Sequence, residues 1–456
     1  MNRLITYKLK NQSLNLVTSI ILFLGLMLLS SGCSPIPQEA IQISPVPDIG
    51  TPQSGSSQGI FPTPGPGTYQ TPIMESGMLQ STPTGFQSQP VNPKIGGQIT
   101  LWHPYQEGTP EGQSLEALVA NAKIAYPNLD LQTVHVPASE IWRDYQIDVI
   151  AGGGPDLFIA SNEGLLPTAQ SGLVQNLDPF FEGKSNQFFP QAIEGMTVDG
   201  SLYGAPVSIQ TAVIYFNKSQ IPIPPQTSDN LLEMLRGGKR LVNIQSAYHL
   251  FGWSGAFGGI LTDENGRCIA DLTGWVGALN YLLELKNAGA VFESDYRDAE
   301  EIFLNGGADM LLQGSWEMSR YASYLGEGLG VAALPSGPSG PGSPLLTING
   351  VYLNPNSANK EAAQEVMDYL TGQISQQMFA NNGLFLSSRP DIQSGNPLLE
   401  SVAGGVSFGA AIPQNEGFSN FWLPFDNMFT QVLNGEVSPQ QGLNLACTEM
   451  NKANNK

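Results

Sequence analysis

The feature that most constrains this chain is a change of hydrophobic period repeated over residues 98–160. Gln98–Trp102 reads as a short buried strand, and a helical pattern follows from about Ser114 to Ala125, closed by Tyr126-Pro127. Leu129–Val136 alternates as a second strand, and Ile141–Ala151 is again helical. Gly152-Gly153-Gly154-Pro155 breaks that helix, and Asp156–Ala160 is a third strand. Strand, helix, strand, helix, strand is the unit of a parallel sheet, so the chain is predicted to be an α/β protein. Further helices are expected at about 273–289, 299–304, 360–371 and 439–451.

What precedes the first strand does not look folded. Arg3, Lys8 and Lys10 stand before an apolar run from about Leu14 to Leu29, which ends in Ser30-Ser31-Gly32-Cys33. A basic head, an apolar middle and a small-residue exit describe an export signal over residues 1–32. The competing reading is a spanning helix, which polar Asn15, Thr18 and Ser19 shorten. Leu29-Ser30-Ser31-Gly32-Cys33 resembles the lipobox of bacterial lipoproteins, with Ser30 where that pattern usually has Leu. The resemblance implies cleavage before Cys33 and lipidation of Cys33, which would anchor the chain at the extracytoplasmic face of the cell envelope.

Residues 33–97 carry twelve prolines among Gly, Ser and Thr, with almost no charge. Such a stretch cannot bury enough apolar surface to offset its chain entropy, so it is expected to be a disordered tether. It contains one G-x-S-x-G match, Gly55–Gly59. That motif needs a preceding strand and a following helix to position its serine, and neither is present.

Charge excludes some partners. The chain has 19 basic and 39 acidic residues, and removal of residues 1–32 takes three basic residues and no acid, leaving a net charge of −23. A surface this acidic repels nucleic acid and anionic lipid. His103, His135 and His249 are isolated, and no H-E-x-x-H or CxxC spacing suggests a metal. The Gly152–Gly154 run lacks the lysine of a phosphate-binding loop and ends a helix rather than opening one. No cofactor is expected. Cys268 and Cys447 are the thiols left after Cys33, and outside the cytoplasm they could pair.

Five colinear segments carry a resemblance. They are AGGGPDLFIASNEGLLPTAQSGLVQNLDPF (151–180), DGSLYGAPVSIQTAVIYFNKS (199–219), AEEIFLNGGADMLLQGSWEMSRY (299–321), GVAALPSGPSGP (330–341) and the stretch 354–392. In order, they resemble the family of bacterial extracytoplasmic solute-binding proteins that includes maltose-binding protein. The resemblance implies a two-lobe fold, hinged by three chain crossings near 207–210, 334–336 and 384–388, with a ligand crevice between the lobes. Lobe one would be 98–208 and 335–384; lobe two would be 209–334 and 385–456. On that division Cys268 and Cys447 share a lobe.

The same resemblance names candidate ligand groups. Trp316, in Gly314-Ser315-Trp316, sits where the family places a sugar-stacking Trp, and Trp422 resembles a second such aromatic. Tyr248 and Trp253, in YHLFGWSGAFGG, are alternatives for a third. Ser161, Asn162 and Glu163 follow the GPD strand, where family members bind hydroxyls. Gln210 occupies the crossing position of a family carboxylate. Gln106 and Glu107 lie in the first strand-to-helix loop. Asp156 is read as a brace for its strand rather than a ligand group. Aromatic faces meet the C–H face of a pyranose, while amides and carboxylates bond its hydroxyl rim. The implied function is a lipid-anchored receptor of an ABC importer, handing a neutral carbohydrate to permease subunits. A glycoside hydrolase, needing two carboxylates across a scissile bond, and a sugar-sensing lipoprotein without transport are the alternatives.

Overall fold

The computed structural model describes residues 91–456. The segment expected to be an export signal, Cys33 and nearly all of the expected tether, with the Gly55–Gly59 motif, lie outside the described residues.

The β-α-β-α-β unit is present. Strands β1 (Gly96–His103), β2 (Asn128–His135) and β3 (Leu157–Ser161) are joined by helices Pro110–Ala125 and Ile141–Ile150. β1 pairs in parallel with both neighbours, giving the order β2-β1-β3. The first helix begins four residues before the expected start. Thr109 caps it by accepting a hydrogen bond from Gly112 N, and Pro110 takes the first helical position, where no N–H is needed. Asp156 braces the start of β3: its carboxylate accepts from Thr100 N (2.9 Å) and Ser357 Oγ (2.6 Å).

A two-residue hairpin follows. β4 (Thr197–Val198) and β5 (Ser201–Leu202) turn through Asp199 and Gly200, both at positive φ, as a tight hairpin requires. Then come β6 (Ala205–Asn217), β7 (Leu241–Ile244), β8 (Val291–Glu293), β9 (Met310–Gly314), β10 (Leu329–Ala332), β11 (Leu345–Leu353), β12 (Leu386–Ser387) and β13 (Ala410–Ala411).

β6 organises everything around it. Its first half pairs antiparallel with β11 and β12, and β11 in turn pairs with β3. Its second half pairs antiparallel with β9 and β10. β9 continues in parallel to β7, and β7 to β8. Two α/β sheets therefore share one thirteen-residue strand, and the partner exchange falls at Thr211–Ala212. Almost every residue of β6 and all of β11 are buried, so these central strands read as continuous apolar runs rather than alternating ones.

A buried amide ties two chain passages together beside this strand. Gln376 Nε2 donates to Pro206 O (3.1 Å) and Ser388 Oγ (2.8 Å), while its Oε1 accepts from Ser388 N (3.1 Å). The second sheet is backed by an aromatic core containing Trp253, Trp275, Phe421, Phe425 and Phe429, all buried. Cys268 and Cys447 form a disulfide within this core, joining a loop to the C-terminal helix Pro439–Ala453. No helix among the described residues is long and apolar enough to cross a membrane.

Candidate ligand crevice

A crevice of about 1220 Å³ opens where the two sheets meet. Its walls are largely the residues just past the carboxyl ends of parallel strands, where open α/β sheets leave room for ligands. Pro104, Tyr105 and Gln106 follow β1, Ser161 ends β3, and Glu163 follows it. Tyr248 follows β7, Tyr296 follows β8, and Trp316 follows β9. Gln210 of β6 and Thr347 and Asn349 of β11 form the floor, and Gln414, Phe418 and Trp422 come from the C-terminal segment.

Trp316 is positioned from below and behind. β9 ends at Gly314, and a short turn over Ser315–Glu317 carries the indole back across it. A Cβ on Gly314 would lie 2.1 Å from the indole ring, so only glycine admits this placement. Tyr248 lies 5.7 Å from the Trp316 ring and His249 lies 5.8 Å from it. His249 is buried, its Nε2 is 2.9 Å from Gln313 Oε1, and its Nδ1 is 2.8 Å from Ser246 Oγ. Gln313 Oε1 also accepts from Gly314 N (2.8 Å), which makes it an acceptor for His249 as well. The imidazole is therefore protonated on Nε2 and neutral. Burial holds its pKa down to about 4, against a weaker upward pull from Gln313.

Trp422 opens the helix Trp422–Leu433 and is half-buried. Its indole packs edge-on against Phe418 (5.5 Å, 88°) and Phe421 (5.3 Å, 71°), leaving one part toward the crevice. Tyr248 is fixed through its hydroxyl, which donates to Gln210 O (3.3 Å) and accepts from Thr347 Oγ1 (3.3 Å). Burial raises its pKa well above the ordinary tyrosine value, so the hydroxyl stays protonated.

Among the expected polar groups, Ser161, Glu163, Gln210 and Gln106 line the crevice. Glu163 is solvent-exposed on the crevice wall. Desolvation raises its pKa, and a hydrogen bond from Ser161 opposes the rise. Three expected residues stand elsewhere. Asn162 is fully buried, donating to Gly195 O (2.8 Å) and accepting from Ile348 N (3.2 Å), so its amide is committed to backbone. Trp253 is buried in the second core, 5.1 Å from Tyr281, which leaves Tyr248 as the crevice aromatic of that segment. Glu107 is exposed in the loop but outside the crevice wall.

The sequence reading missed Tyr105, Glu111, Tyr296, Arg320, Thr347, Asn349 and Gln414. The rule of strand carboxyl ends would have found Tyr105 and Tyr296, had β8 been recognised. Glu111, on the first helix, accepts a hydrogen bond from Ser319 Oγ on the helix Met318–Leu325, linking elements of the two sheets. Arg320 donates from Nε to Glu317 (2.6 Å) and from its terminal nitrogen to Glu300. Burial raises the Glu317 pKa, and Arg320 opposes the rise. No cluster of metal-ligating side chains occurs among the described residues.

The family model for bacterial extracellular solute-binding proteins matches residues 106–377. The chain belongs to that family. The maltotriose-binding protein of Pyrococcus abyssi is 22% identical to this solute-binding protein over 357 residues, 74% of this chain and 78% of the relative. The galactooligosaccharide-binding protein of Bacillus subtilis is 21% identical over 377 residues, 77% of this chain and 88% of the relative. Among solved structures, the maltose/maltodextrin-binding domain from Bdellovibrio bacteriovorus bound to maltotriose superposes with a TM-score of 0.65. It is 24% identical and covers 79% of this chain and all of that one. The likeness establishes the two-lobe fold of this solute-binding protein.

Proposed function

We propose that this protein is a lipid-anchored receptor of an ABC importer that captures a neutral sugar or oligosaccharide and delivers it to membrane permease subunits. One observation carries the reading: Trp316, Trp422 and Tyr248 line the crevice among amides, hydroxyls and carboxylates. Aromatic surface suits the C–H face of a pyranose, and the polar groups suit its hydroxyls. Trp316, Trp422, Tyr248, Glu163, Ser161, Gln210 and Gln106 are the contacts we assign. The volume exceeds what one monosaccharide needs, which favours an oligomer. The names of the relatives, which include maltotriose- and galactooligosaccharide-binding proteins, support the substrate class.

Closure moves one lobe, 98–208 with 335–384, toward the other, 209–334 with 385–456. A guest that touches both stabilises the closed state by its extra contacts there, and the permease reads that state. The tether and a lipid on Cys33 would keep the receptor at the extracytoplasmic membrane surface. The reading is of a binder, not an enzyme. Incubation of the purified protein with maltodextrins, cello-oligosaccharides and galacto-oligosaccharides tests it. A rise in unfolding temperature with no released product supports the receptor, because a ligand of the folded state stabilises by about RT ln(1 + [L]/Kd). Released product would make the protein a hydrolase, and no shift with any member would remove carbohydrate as the guest.

A further inference from the structure

On the receptor reading above, the charges that line the crevice bear on whether its oligosaccharide guest is uncharged. Three carboxylates and one guanidinium face the space: Glu111, Glu163, Glu317 and Arg320. The guanidinium is already committed to Glu317 and Glu300, and no lysine lines the crevice. An acidic sugar entering here finds no free cation. Glu111 is occupied by the Ser319 hydroxyl.

Glu163 is different. It makes no ion pair with any described residue, and the Ser161 hydroxyl is the one neighbour that favours its charge. It lines the same crevice as Tyr248 and Tyr296, and its charge opposes their ionisation. Trp316 lies 5.7 Å from Tyr248, and both line the same cavity as Tyr296. An unpaired carboxylate that shares a crevice with aromatic rings is the chemistry that recognises an ammonium group: the carboxylate supplies charge and acceptors, and the rings can supply their negative faces. Sugar hydroxyls would satisfy the acceptors of Glu163 but leave its charge unpaired, whereas an ammonium group brings donors and the opposite charge together.

We propose that the crevice takes an oligosaccharide bearing a protonated amine, seated between the Glu163 carboxylate and the wall formed by Tyr248, Tyr296 and Trp316.

Three β-1,4-linked trisaccharides with one backbone test the charge alone: the glucosamine trimer, the N-acetylglucosamine trimer and cellotriose. Every unit of the first carries an amine, so one faces Glu163 whatever the register. Calorimetric titration near neutral pH is expected to give affinity for the glucosamine trimer about tenfold or more above that for either uncharged trimer. Glu163→Gln is expected to erase that margin, while thermal unfolding of the unliganded variant shows that its fold is kept. Equal or tighter binding of an uncharged trimer overturns the amine assignment and leaves the oligosaccharide reading standing. A margin that survives in Glu163→Gln also overturns it. If none of the three binds, the amine assignment falls, and the maltodextrin and galacto-oligosaccharide arms above decide the receptor reading separately.

Discussion

Trp316 lies across Gly314, two residues before it, so closely that a methyl group on Gly314 would sit 2.1 Å from the indole. The backbone of Gly314 is in an ordinary extended conformation, φ −70° and ψ 147°. Alanine at this position therefore strains no dihedral angle and acts on the indole alone. Gly314→Ala is expected to push Trp316 off its seat and weaken carbohydrate binding by about 1–2 kcal/mol, with little change in unfolding temperature. Titration calorimetry beside tryptophan fluorescence checks both halves. Unchanged emission and unchanged affinity would mean that the indole placement is immaterial.

The hydrogen bond from Ser319 to Glu111 joins a helix of the second sheet to a helix of the first. On the receptor reading this bond requires the two sides to be near each other, so it would favour closure. Ser319→Ala is expected to lower apparent affinity by about 0.5–1.5 kcal/mol, chiefly through faster release. Stopped-flow dissociation measures this directly; an unaltered release rate would remove the bond from the closing mechanism.

His249 sets a pH dependence. Its folded-state pKa is about 4 against an ordinary 6.5, so the unfolded chain binds the extra proton between those values. Its contribution is complete above about pH 6.5 and is lost as the pH falls toward 4, amounting to about 3 kcal/mol. Glu163, Glu317 and Asp426 act in the opposite sense, because burial raises their pKa values and the folded state holds their protons longer. The comparison of wild type with His249→Gln isolates the histidine. The variant is expected to be less stable at neutral pH but to lose less between pH 6.5 and 4, as urea titrations at a series of pH values would show. Parallel stability curves for the two proteins would contradict the assignment.

The Cys268–Cys447 disulfide closes 179 residues of chain and sits in the second core. Restricting so long a loop in the unfolded state is worth about 5 kcal/mol in the chain-entropy account. Reduction, or Cys268→Ala with Cys447→Ala, should lower the unfolding temperature while leaving carbohydrate affinity near wild type, since neither residue lines the crevice. Differential scanning calorimetry with and without reductant is the check.

The first sheet was legible because its strands and helices alternate at distinct periods, and Gly152–Pro155 marks the break between them. β6 was harder to read locally: buried on both faces, it carries no alternation, and only the resemblance marked it as a crossing. Trp316 and Trp422 were legible as aromatics in matched segments. Trp253 and Asn162 were not separable from them, because an indole in a core and one on a crevice wall look alike in sequence. An amide bonded to backbone likewise looks like one open to a guest. The Glu111–Ser319 link and the Arg320–Glu300 pair join residues far apart in the chain, and no local pattern announces such contacts.

The central claim is that a carbohydrate is held against the indole of Trp316. Titration calorimetry of wild type and Trp316→Ala with maltodextrins, cello-oligosaccharides and galacto-oligosaccharides tests it most directly. Saturable binding of at least one of these by wild type, weakened by about 1–3 kcal/mol in the variant while both proteins unfold at similar temperatures, is the expected result. No binding by wild type, or equal affinity in the two proteins, would contradict it.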